Sequence, residues 1–131
     1  MLTHETDTQR PTYDVEDDFE ANELFQRLGW TDGLPIVAPT ADRVAHFLEA
    51  AGLSADDIVG TEPVRQRHIT AGKVAINAVM AGCLASYMPV LVAIVRALCA
   101  PEYSLHGASA STGGSAPFIV VNGPIRTQLG M

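Results

Sequence analysis

The chain has 131 residues, of which 47% are apolar and 18% charged, with a formal charge of −7. That is the make-up of one globular domain large enough to bury a core. The charge is lopsided: residues 1–32 hold nine acids against Arg10 and Arg27, whereas residues 33–131 hold six acids and six bases. An acidic chain without a basic stripe argues against nucleic acid as a partner. The apolar stretch 74–100 is broken by Asn77, Gly82, Ser86, Pro89 and Arg96, so no run reaches the ~20 residues of a membrane span. The N-terminus is polar and lacks the apolar centre of a signal peptide. The expectation is a cytoplasmic protein with no membrane contact, and Cys83 and Cys99 as reduced, buried thiols rather than a disulfide.

Taken in order, residues 1–17 read as a flexible acidic arm with only Leu2, Tyr13 and Val15 to bury. A helix should start near Asp17 or Asp18, with Phe19, Leu24, Phe25 and Leu28 close to one face and Gly29 as its stop. Asp32-Gly33 signals a turn. Leu34 to Val37, held between Pro35 and Pro39, reads as a short extended piece. Trp30 and Asp32 read as an aromatic anchor and a turn-capping carboxylate, with a place in a site as the rival reading.

Thr40 is a good N-cap for a helix over Ala41 to Ala51 that ends at Gly52, and His46 sits off its apolar stripe. Ser54 caps a short turn through Asp56-Asp57. Residues 58–69 read as a strand, a turn at Gly60 to Pro63 and a second extended piece. Arg65, Arg67 and His68 form the one local basic cluster, either a contact for an anion or a solvated face opposite the acidic arm.

Thr70 caps a helix to Gly82 or Cys83, and Ser86 caps another to about Ala100, with Pro89 tolerated in its first turn. Apolar residues circle both, so helices over about 70–83 and 86–100 are expected to be buried on all sides, with Asn77 as a buried amide. Lys73 reaches out of the core on its long stem. Two such helices exceed what one small sheet can hide, which implies a substantial subunit interface.

Leu105 to Ser115 is a glycine-rich polar loop holding His106, Ser109, Ser111, Thr112 and Ser115. Phe118 to Val121 follow as a buried strand between Pro117 and Asn122-Gly123. Pro124 to Met131 then begin a helix. A strand, a turn and an incipient helix lead to nothing further here, which is the second reason to expect a partner chain. The fold class expected is α/β, one domain over residues 18–131.

Four blocks resemble a family of bacterial proteins associated with a Cys/Sec-Gly-Ser-Cys motif, the UGSC proteins. They are Thr31 to Thr40, Ala75 to Cys83, Pro101 to Gly107 and Val120 to Pro124. The resemblance covers roughly residues 24–131, and the motif itself is absent. Family members look longer, so the resemblance implies an N-terminal half of a split member, whose other half is a UGSC-like second subunit in a higher-order oligomer.

For chemistry, His106 is the best acid–base candidate, since histidine titrates near neutrality and this one stands beside hydroxyls. A structural histidine capping the loop is the competing reading. Ser111 is grouped with His106 as catalytic. Ser109, Thr112, the amides of Gly113 and Gly114, and Asn122 at the strand's end are the expected contacts for a small-molecule carboxylate or phosphate. No P-loop lysine and no Gly-x-Ser-x-Gly elbow is present. Cys83 ends a helix, where neither a cation nor a helix N-terminus activates a thiolate. His68, Cys83 and His106 have no local metal-ligand spacing, so no metal is assigned and the cofactor is left open. The expected function is one subunit of a heteromeric enzyme of lyase or hydratase type, with a non-catalytic structural or regulatory subunit as the alternative.

Overall fold

The computed structural model describes residues 11–131. Its contacts divide the chain into a short unit ending at Pro35 and a larger one, Ile36–Met131. The expected N-terminal arm lies in part outside the described residues.

In the short unit, helix α1 spans Asp18–Arg27. Asp17 caps it, its Oδ1 accepting the Glu20 amide at 2.8 Å, while the Glu20 carboxylate accepts the Glu16 amide at 2.6 Å. The first bond satisfies an amide of the first turn that the helix leaves unpaired, and the second ties down the residue just before the cap. Gly29 adopts φ +68° just after the helix and turns the chain back. Trp30 thereby stacks on Phe25, ring centroids 5.7 Å apart, and takes Tyr13 edge-on at 5.7 Å, which is the anchor role expected of it. The apolar face is narrower than its spacing suggests: Ala21 and Phe25 are buried, but Phe19 is 75% exposed. Beyond Trp30, the Thr31 hydroxyl donates to the Leu34 carbonyl at 2.6 Å and closes the Asp32-Gly33 turn.

The larger unit opens with α2, Ala41–Ala51, capped by the Thr40 hydroxyl and stopped by Gly52 at φ +63°. Strands β1, Ile58–Glu62, and β2, Arg67–Thr70, form a two-stranded antiparallel sheet. Glu62 faces Arg67 and Gly60 faces Ile69, with one irregularity between Ile58 and Gly60. Thr70 then caps α3, Ala71–Met80. A short 3-10 turn over Ala85–Tyr87 feeds α4, Met88–Leu98, with Pro89 in its first turn. Ser86 thus lies inside that turn, not at the cap expected of it. Two five-residue helices complete the chain, α5, Leu105–Ser109, and α6, Pro124–Gln128.

The core lies among α2, the hairpin, α3 and α4. It holds Phe47, Leu48, Val59, Ala71, Ala75, Ala78, Val79, Met88 and Val92. The helices are of moderate length and draw their stability from this burial rather than from propensity. Among the described residues no single helix is long and apolar enough to cross a membrane.

Cys83 and Cys99, expected as buried thiols, are free but only half-buried, and three further expectations about burial are corrected. First, α3 and α4 are not covered on all sides: α4 buries only Met88 and Val92, and Leu91, Ile94, Val95 and Leu98 stay half-buried. Second, Asn77 is exposed, and its amide finds its partner locally, donating from Nδ2 to the Lys73 carbonyl at 2.8 Å. Third, Phe118–Val121 is not a strand and joins no ladder among the described residues, and Phe118, Ile119 and Val120 are 90%, 51% and 63% exposed. Strand propensity describes a residue's fit to a pleated surface, and this sheet ends at its second strand.

Candidate functional site

The glycine-rich loop is half helix: Leu105–Ser109 forms α5, and only the bend after it is loop. Ser104 at φ +53° starts the turn into α5. His106 rides on α5 and is half-buried. Ser109 is exposed, and its hydroxyl donates back to the Leu105 carbonyl at 2.7 Å. The Ser111 hydroxyl accepts the Gly113 amide at 3.0 Å, which shapes the bend. Thr112 and Gly114 are exposed in the same stretch. Asn122 stands apart from them, on an apolar groove of about 530 Å³ between α4 and Phe118–Val121. Neither His106 nor any residue from Ser109 to Gly114 lines that groove.

His106 instead acts electrostatically on Glu62, at the end of β1. The Glu62 carboxylate is fixed in place: it accepts the Val64 amide at 2.9 Å and the Arg65 amide at 2.5 Å, and so caps the hairpin turn. Those two bonds hold its carboxyl below the ordinary value of 4.5, against a weak desolvation, with the charges of His106 and Arg65 adding to the effect. Next to it, the His68 Nδ1 pairs with the Thr61 hydroxyl across the hairpin at 3.0 Å. The charged group that His106 influences is thus the carboxylate that caps the hairpin turn. Sequence reasoning singled out Arg65 and passed over Glu62, whose signal was an acid directly before Pro63 at a turn.

A depressed carboxyl contributes stability that is complete above its ordinary value and is lost as pH falls through the lower folded value. The turn at Pro63–Gln66 is therefore expected to stay ordered down to below pH 4.5, the ordinary value for this carboxyl. The Val64 and Arg65 amide shifts in an NMR titration report it. A midpoint at or above the ordinary value contradicts the capping role.

Among the described residues, no three His, Cys, Asp or Glu side chains converge as a metal site requires. Comparison with family models, with curated proteins and with solved structures finds no match.

Proposed function

We propose that the chain is one subunit of a heteromeric, cytoplasmic bacterial enzyme that transforms a small polar or anionic molecule. The chemistry is acid–base, of lyase or hydratase type, at a site shared with a second subunit. The observation that carries this reading is the unfilled apolar face of α4. The groove of about 530 Å³ there is walled by exposed Phe118, Ile119 and Val120, and an exposed apolar face of this kind fits a protein interface. The resemblance of four sequence blocks to the UGSC family supports a partner of that kind.

In this reading His106 moves the proton, with Glu62 as a charge counterpart and Arg65 as an anion contact at the hairpin turn. Ser111 assists as a catalytic hydroxyl. Ser109, Thr112 and the Gly113 and Gly114 amides hold the polar end of the substrate, and Asn122, which stands on the separate apolar groove, is left out of that contact set. The test is the chain co-expressed with the product of the neighbouring reading frame and given a panel of hydroxy- and unsaturated carboxylates, followed by NMR. Replacing His106 by Ala is expected to lower kcat by roughly 10²–10⁴-fold, the usual contribution of a general acid or base, with the mass of the assembly unchanged. Undiminished turnover refutes the role of His106.

One observation favours the alternative, a structural or regulatory subunit. The Ser109 and Ser111 hydroxyls already serve their own backbone, as they do in a loop that only shapes an interface. In that case the partner turns over substrate equally well with His106→Ala.

A further inference from the structure

A second groove, of about 340 Å³, lies between β2, α3 and α4. Its walls are apolar, Val74, Leu91 and Ile94 among them, and three polar side chains line it: Lys73, Asn77 and Cys83. Lys73 and Asn77 are one helical turn apart on the same face of α3, and the Asn77 amide is pinned to the Lys73 carbonyl at 2.8 Å. At the end of α3, Gly82 takes φ +73°, and the Gly82 and Cys83 amides donate to the Val79 and Ala78 carbonyls at 2.9 and 3.0 Å. This reversal lays Cys83 back over the last turn of the helix. Cys83 therefore shares a groove with a cation, which its place after a helix C-terminus did not suggest.

The occupant follows from complementarity. The volume falls at the lower end of small-ligand sites, roughly 300–1,000 Å³. Among the described residues, Lys73 is the one charged residue on the groove, and no acid among them answers it there. A neutral apolar molecule gains nothing from that ammonium, and a cation is repelled by it. We propose that this groove binds a short amphipathic carboxylate, its apolar body along α4 and its carboxylate at Lys73. The assignment is independent of the role of His106.

Cys83 is the built-in reporter, and Cys99, which packs on Gly60, is the internal control. The purified chain is alkylated with iodoacetamide, and modification at each cysteine is followed by mass spectrometry. Octanoate is expected to slow alkylation of Cys83 saturably and leave Cys99 unchanged. Octanol is expected to need roughly tenfold more for the same protection. Lys73→Glu is expected to raise the half-protecting octanoate concentration by roughly tenfold, the scale of a rim ion pair replaced by repulsion. Lys73→Gln, a neutral change at an exposed position, is expected to fall between. No saturable protection, equal protection by octanol, equal protection of Cys99, or indifference to both Lys73 variants each overturns the assignment.

Discussion

Met88→Ala is expected to cost about 2–5 kcal/mol, the range for a large apolar side chain cut back to a methyl in a packed core. Among the described residues Met88 is the largest fully buried side chain, 0% exposed, and sits at the start of α4 in one core with Phe47, Leu48, Val59 and Val79. The core around it is rich in alanine, with Ala71, Ala75 and Ala78 buried. Such small neighbours have few rotamers with which to refill the space. For a unit of this size each kcal/mol moves the melting temperature by roughly 4–8 °C, so a thermal melt should fall by roughly 10 °C or more. A drop of a degree or two contradicts the placement of Met88 at the centre. Met88→Leu, close in volume, is expected to cost less than about 1.5 kcal/mol.

The second large effect is expected at Gly60, where β1 meets α4. A Cβ there would lie 2.8 Å from the Cys99 Sγ and 3.3 Å from the Val95 Cγ1. Cys99 is short and half-buried, so it has little room to swing away. Gly60→Ala is therefore expected to destabilise by about 1–3 kcal/mol, as overpacking does. The rescue is specific: Cys99→Ala removes the sulfur, so the double variant Gly60→Ala with Cys99→Ala is expected to be more stable than Gly60→Ala alone. Denaturant unfolding of the four proteins of this cycle measures the coupling. A double variant no more stable than Gly60→Ala removes the claimed contact.

Local chemistry made much of this fold legible. Thr40 and Gly52 bracket α2, Thr70 opens α3, and Gly29 ends the turn after α1, because caps act within a few residues of themselves. The hairpin was legible as two extended pieces joined by a turn, but the turn expected at Gly60 to Pro63 lies at Pro63–Gln66, with Gly60 inside β1, because the Glu62 carboxylate caps the Val64 and Arg65 amides there. What was not legible depended on partners distant in sequence. The Phe118–Val121 run has strand composition but meets no strand among the described residues, and composition does not name a partner. The all-apolar circumference of α4 suggested complete burial, yet only Met88 and Val92 are buried, because the outer face meets no further layer of the described chain. Asn77 was misplaced for a related reason: its neighbours are apolar, but it lies on the uncovered side.

The candidate site was legible in part. His106 and the serines were found by residue type, but the bonds from Ser109 to Leu105 and from Gly113 to Ser111 depend on the exact bend. Glu62 was missed because its role comes from two amides it caps and from α5, some forty residues on. Nothing in the sequence joins Lys73 to Cys83, since it is the Gly82 reversal that brings both onto one groove.

The central claim is that the outer face of α4 and the Phe118–Val121 segment belong against another chain. Light scattering on the purified protein, with a thermal melt of the same sample, tests it most directly. The expected result is a mass above the 13.9 kDa of one chain, falling to one chain when Ile119, which walls only the larger groove, is changed to Asp. A monodisperse 13.9 kDa monomer with a cooperative melt in the unaltered protein contradicts it.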